Sequence, residues 1–138
     1  MRKSIDKGAK ILLDGGRMDR NGNYFSPMIL GDLKPGMPAH DEELFGPVFS
    51  FFKAKDEAEA IQIANNSAYG LGAAVWSKNT DRAEQMARQL EAGAVFVNDF
   101  VKSDPRLPFG GVKRSGFGRE LAEEGIREFV NIQSIVVH

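Results

Sequence analysis

The stretch from Val48 to Val97 alternates strand-like and helix-like patterns with short connections between them, and this alternation limits the possible folds more than any other feature of the sequence. Val48-Phe49-Ser50-Phe51-Phe52 is nearly continuous apolar, the pattern of a strand covered on both faces. Asp56, with Glu59 three residues later, has the spacing of a capping box and predicts a helix through Asn65. Tyr69-Gly70 breaks the chain, and Ala73-Ala74-Val75-Trp76 reads as a second strand. Thr80 suits an N-cap; after it Ala83, Met86, Ala87 and Leu90 fall at i, i+3, i+4 and i+7, one apolar helical stripe. Gly93 stands where a C-terminal cap belongs, and Ala94-Val95-Phe96-Val97 is a third strand. The order β-α-β-α-β predicts an α/β fold with a parallel sheet and right-handed crossovers.

The flanks are less regular. Ile11-Leu12-Leu13 and Tyr24-Phe25 are strand material around the turn formers Asp14-Gly15-Gly16 and Asn21-Gly22. A helix is expected from Arg119 to Val130, with Leu121, Gly125 and Phe129 on one side, and a last apolar strand from Ile132 to Val137. Between Asp99 and Gly118 no periodicity is visible, and compact domains seldom carry so long a loop without a use for it. It follows the third strand directly, where open parallel sheets bind ligands. It sets Lys102, Arg106, Lys113 and Arg114 against Asp104, so it reads either as an anion or substrate wall or as packing against a neighbouring domain.

Composition removes several functions. The 138 residues suffice for one domain with its own core. Eighteen basic against nineteen acidic residues argue against a nucleic-acid binder, and no apolar run approaches the ~20 residues of a membrane helix. No apolar stretch follows Met1-Arg2-Lys3, so no secretory leader is expected. Zero cysteines exclude a thiolate nucleophile, disulfides and cysteine-bound metal within this chain; with only His40 and His138, a zinc site is not expected either. The glycines Gly70-Leu71-Gly72 and Gly116-Phe117-Gly118 both lack the third glycine of a dinucleotide fingerprint, and no Gly-Lys-Ser/Thr phosphate loop occurs. Ser115 is not in a nucleophile elbow, because Lys113 takes the place of the first glycine, and neither histidine is set to serve a catalytic triad. Asp41-Glu42-Glu43 before Leu44-Phe45-Gly46-Pro47 could hold a hydroxylated ligand against an aromatic wall, or could be a solvated helix start.

Four segments decide between these options. Glu42-Glu43-Leu44-Phe45-Gly46-Pro47-Val48 resembles the E-E-I-F-G-P-V signature of the aldehyde dehydrogenase superfamily. Asn65-Asn66-Ser67-Ala68-Tyr69-Gly70-Leu71 is similar to its A-N-x-x-x-Y-G-L segment, and Gly93 with Val95, Val97 and Asn98 to its G-x-V-x-V-N strand. Residues 108–120, Pro-Phe-Gly-Gly-Val-Lys-Arg-Ser-Gly-Phe-Gly-Arg-Glu, resemble its closing P-F-G-G-x-K-x-S-G-x-G-R-E block. Order and spacing agree with the family over nearly the whole chain.

The resemblance implies a parallel β-α-β-α-β sheet of an aldehyde dehydrogenase catalytic domain (residues 1–130), plus a C-terminal oligomerisation strand (residues 131–138). It implies a reaction in which a cysteine attacks the aldehyde, hydride passes to NAD or NADP, and water releases the acid. By position, Glu43 is expected to bond the nicotinamide ribose and Phe45 to pack on the nicotinamide. The Asp99–Leu107 loop is expected to wall an aldehyde tunnel with Phe100, Ser103 and Phe109. Ser103 falls near a serine that meets the substrate carboxylate in the succinate-semialdehyde branch. Plain core packing is the other reading of Phe100 and Phe109, and structural bonding that of Lys113 and Arg119.

The departures from the family are as informative. The amino-terminal Rossmann region, the general-base glutamate segment and the nucleophilic cysteine have no counterpart here, so this polypeptide alone is not expected to oxidise aldehydes. The leading expectation is the carboxy-terminal segment of an NAD(P)-dependent aldehyde dehydrogenase, cytoplasmic and homo-oligomeric, with exposed apolar surface. The alternative is a non-catalytic module that assembles with aldehyde dehydrogenase subunits. A third reading is an anion-binding domain built on the basic residues between Lys102 and Arg119.

Overall fold

A computed structural model describes residues 1–138. The chain divides into two compact units, Met1–Ala60 and Ile61–His138.

The first unit is built on the strand with the most apolar sequence. In chain order it contains α1 (Arg2–Asp6), β1 (Lys10–Leu13), β2 (Gly16–Arg17), β3 (Phe25–Ser26), β4 (Met28–Gly31), α2 (Pro38–Asp41) and β5 (Val48–Ser50). β4 is the middle strand of three, antiparallel to β1 and parallel to β5 with Met28 opposite Val48. A central strand has neighbours on both edges, so its side chains are the best covered. Met28 and fully enclosed Leu30 form the core with Ala39 of α2, and Ile5, Phe25, Leu44 and Val48 pack around them. β2 and β3 make a short hairpin, with Gly22 at φ 108° in its loop.

The helix α3 (Glu57–Asn65) begins in the first unit and ends in the second. Asp56 caps it as its sequence predicts, accepting the Glu59 N–H at 2.9 Å, while Glu59 reaches back to the Lys55 N–H at 2.6 Å.

The second unit contains β6 (Tyr69–Gly70), β7 (Gly72–Val75), α4 (Thr80–Ala87), β8 (Ala94–Val97), β9 (Val112–Lys113) and α5 (Ala122–Arg127). β7 and β8 pair parallel from Gly72–Ala94 to Val75–Val97, and α4 connects them, burying Ala83. The α4 N-cap is Asn79 and not Thr80: its Oδ1 accepts the Arg82 N–H at 2.9 Å, and Thr80 is the first helical residue. β6 and β9 form a separate antiparallel pair.

The fold is α/β, and it differs in arrangement from one continuous sheet. The strand at Val48 pairs with β4, whereas those at Gly72 and Ala94 pair with each other. The first strand is also shorter than expected, and Phe49 and Phe51 are exposed because only one face of that sheet is covered. Gly93 is not a helix cap. A Cβ there would lie 1.7 Å from the Gly110 carbonyl oxygen, so the glycine permits a close backbone crossing. The last helix spans only Ala122–Arg127, and it starts late because Glu120 is drawn into a bridge: Phe109 and Glu120 exchange two backbone hydrogen bonds of 2.8 Å. Residues 131–138 form neither helix nor strand, and Ile132, Ile135, Val136 and Val137 are exposed. A strand needs an edge to pair with, and none reaches this tail. No helix is long and apolar enough to cross a membrane.

Candidate functional site

In the first unit, the segment between α2 and β5 presents Glu43 and Phe45. Both are exposed, and the Phe45 ring is 88% accessible. Phe45 has φ 48°, a left-handed conformation that costs a side-chain-bearing residue about 1–2 kcal/mol. Strain of this kind persists only where the surroundings enforce it. Beyond the ring, the Met28 N–H donates to the Pro47 carbonyl at 2.9 Å and the Val48 N–H to the Gly46 carbonyl at 2.7 Å, fixing the exit into β5. Before it, Glu42 closes α2 on the Pro38 carbonyl at 2.8 Å. Asp41 accepts from His40 Nδ1 and from the Gly36 N–H, each at 2.6 Å. The His40 bond chiefly, and the Gly36 bond after it, hold the Asp41 carboxyl below its ordinary range. The His40 ring lies edge-on to Phe52 at 5.5 Å.

The second unit carries the other three candidates. Asn98, at φ 55°, ends β8 and clips it to the turn after β7: its side-chain oxygen accepts the Ser77 N–H at 2.8 Å and its amide donates to the Ser77 carbonyl at 2.9 Å. Phe100 follows, 73% exposed, edge-on to Trp76 at 5.3 Å. Phe109 is half-buried and lines an open cavity of about 440 Å³ with β8, Asp99, Lys102 and Asp104. Ser103 is exposed on the stretch between them. The structure thus places the three on one loop without gathering them around one cavity; Phe100 and Ser103 do not line the space that Phe109 does. Glu43 and Phe45 belong to the other unit.

The cations of this loop are engaged within the chain. Lys102 pairs with Asp99 at 2.5 Å, and Arg106 grips Asp104 through Nε at 2.9 Å and Nη2 at 2.6 Å. Lys113 Nζ donates to the Asn65 and Ser67 carbonyls at 2.8 and 3.1 Å and pairs with Glu91 at 2.6 Å. Arg119 Nη1 donates to the Gly111 and Gly118 carbonyls at 3.0 and 2.6 Å. Arg114 lies 5.8 Å above the Tyr69 ring. Three of these cations, Lys102, Arg106 and Lys113, are thus neutralised by carboxylates, which weakens the reading of an anion-binding loop, and the structural bonding read for Lys113 and Arg119 is what the geometry contains. The carboxylate partners were legible only in part: Asp99 and Lys102 stand three residues apart, but the Lys113 contacts come from distant turns. No group of three or more His, Cys, Asp or Glu side chains is placed to hold a metal ion.

The fold is that of the α/β class, with the candidate residues carried on the loops that flank its strands. Within that class, the chain belongs to the aldehyde dehydrogenase family, whose family model matches residues 1–135. It is 47% identical over 133 residues to a probable succinate-semialdehyde dehydrogenase [NADP(+)] of Synechocystis, and equally to the succinate semialdehyde dehydrogenase [NAD(P)+] Sad of Escherichia coli. Each match covers 96% of this chain and 29% of the relative, so the chain spans less than a third of the length of these curated relatives. Among solved structures, Gox0499 superposes with a TM-score of 0.93 at 44% identity, covering 99% of this chain and 30% of that one. Betaine aldehyde dehydrogenase of Staphylococcus aureus, solved with NAD+, gives 0.88 at 40% identity, covering 94% and 26%.

Proposed function

We propose that this chain is the carboxy-terminal part of the catalytic domain of an NAD(P)-dependent aldehyde dehydrogenase acting on succinate semialdehyde. The observation that carries the reading is the presentation of Glu43 and Phe45: an exposed carboxylate two residues from an exposed ring, on a segment fixed at both ends. A carboxylate accepts hydrogen bonds from a ribose diol, and a flat apolar ring covers one face of a nicotinamide. These two residues fit one part of such a cofactor, and its remaining contacts lie outside this chain. The chemistry the cofactor supplies is acceptance of a hydride from the substrate carbon. The chain holds no cysteine, so its own residues bind and orient while the nucleophile comes from elsewhere in the enzyme.

On the substrate side, Phe100 and Phe109 form apolar walls and Ser103 donates to the distal carboxylate. Neutral recognition fits this loop, because Lys102 and Arg106 are already committed to Asp99 and Asp104. In this reading β7 and β8 belong to a parallel sheet of the complete catalytic domain, and residues 131–138 are an oligomerisation strand in a homo-oligomer. The exposed apolar side chains of that tail favour such an assembly role. The implied compartment is the cytoplasm.

The test is made in the dehydrogenase that carries this segment. Ser103→Ala should raise KM for succinate semialdehyde about tenfold, the worth of a hydrogen bond to a charged group, while leaving KM for butanal unchanged. Equal changes for both aldehydes would refute the assignment of Ser103 to the carboxylate.

A further inference from the structure

A ring as exposed as Phe45 has too little packing of its own to enforce a left-handed backbone, so the conformation must be imposed from the two ends of its segment. The downstream end is tied to β4 through Pro47. The upstream end is α2, a single turn of four residues whose N-cap, Met37, has no side chain able to bond the free N–H groups. Two serines from distant parts of the chain do this instead. The Ala39 N–H donates to Ser4 Oγ at 2.9 Å, and Ser50 Oγ donates to the Ala39 carbonyl at 2.5 Å. Ser4 is fully buried on α1, and Ala39 is buried in the core beside Leu30. Ser50 ends β5 and is accessible. Both polar groups of one buried backbone residue are thus satisfied by side chains, one on either side of the turn. Removing either partner leaves an N–H or a C=O of Ala39 seeking a new one, and the turn is free to shift.

We propose that Ser4 and Ser50 are positioning residues for the cofactor-contacting segment, acting as remote caps of α2 that hold Ala39 and through it Glu43 and Phe45. The inference rests on the reading of Glu43 and Phe45 as cofactor contacts. It assigns to two residues outside every family motif noted above a part in cofactor affinity.

Two measurements test it. In the 138-residue chain, Ser50→Ala should speed amide exchange over residues 39–42 about tenfold, with Ser50→Thr restoring protection because the hydroxyl is kept. Ser4→Ala should act in the same direction; should that enclosed site not tolerate the change, the Ser50 pair, which opens no cavity, carries the test. Asn79→Ala, which removes the α4 cap in the other unit, should leave exchange over residues 39–42 unchanged. In the complete dehydrogenase, Ser50→Ala should raise KM for NAD(P)+ about fivefold with kcat and aldehyde KM held within about twofold, and Ser50→Thr should return it. Faster exchange with an unchanged cofactor KM would overturn the proposal, as would an equal rise in Asn79→Ala. If Glu43→Gln and Phe45→Ala themselves leave the cofactor KM unchanged, the cofactor reading fails, and the positioning role falls with it.

Discussion

Asp104 and Arg106 show how a loop without periodic structure is held in shape by side chains close in sequence. The Arg106 side chain and then its own backbone N–H bond the Asp104 carboxylate, keeping that carboxyl well below the ordinary carboxylate range. A depressed folded value means that the pair's contribution is present above the unfolded pKa of ~3.9 and is lost only as pH falls through the lower folded value. Through the ordinary range of carboxylate titration, Asp104 should therefore stay ionised and the loop ordered. A side-chain carboxyl NMR titration checks this: Arg106→Gln should move the Asp104 midpoint up toward ~3.9. An ordinary midpoint in the unmodified chain would contradict the geometry. Arg106 is exposed and Asp104 only half-buried, so solvent screens the pair and this is a statement about local order and not about global stability. The sequence shows the acid and the base two positions apart, yet a net count of loop charge hides that Lys102 and Arg106 each have a carboxylate partner of their own. Asn79 and Thr80 make a similar point. Either residue can cap a helix, and only the chain entering α4 decides that Asn79 does.

Among the elements, short-range signals predicted well and long-range ones did not. α3 begins where Asp56 and Glu59 place it, and the β7-α4-β8 unit follows the order read from its apolar stripe, because the governing interactions lie within one or two turns. α5 is shorter than its pattern because Phe109 claims Glu120 in a backbone bridge, a competition between residues that local propensity does not register. The glycines divide in the same way. Gly93 was legible as a special position, but its reason is the Gly110 carbonyl against which it packs. Gly93→Ala should therefore separate β8 from the Pro108–Gly111 stretch and destabilise the chain by about 1–3 kcal/mol or more. Gly16→Ala, where an added Cβ meets nothing within 4 Å, is expected to be close to neutral. Urea midpoints of the two variants decide it; equal midpoints would mean that the crossing at Gly93 relaxes freely.

At the scale of the whole molecule, the buried set is small and the exposed apolar set large. The first unit encloses a core around Met28, Leu30 and Ala39, while Phe129 is 90% and Val137 88% exposed. Apolar surface of this extent favours association. Sedimentation velocity should show concentration-dependent self-association, and Ile135→Asp together with Val137→Asp should reduce it. Unchanged association in that double variant would move the sticky surface elsewhere, the exposed Phe49 and Phe51 being next in line. The candidate site was legible to the extent that family motifs mark it: Glu43, Phe45 and the loop after β8 stand out in the sequence, whereas the serines that brace α2 do not. Ser4 and Ser50 meet Ala39 across 35 and 11 residues of chain, and nothing local marks either of them.

The parallel pairing of β7 with β8 also sets an order of events in time. Their ends are joined through a single helix, so contact between them closes a loop of only about twenty residues, among the cheaper tertiary closures in conformational entropy. Joining β6 to β9 at Tyr69 and Lys113 closes about twice that length and must enclose the β7-α4-β8 unit. Refolding of the second unit should thus begin with a rapid phase that gathers β7, α4 and β8 and finish with a slower one that ties down β9. The loop proposed to face the aldehyde lies between these two events, tethered early at Asn98 and late at Val112. Its shape is therefore complete only once β9 is in place.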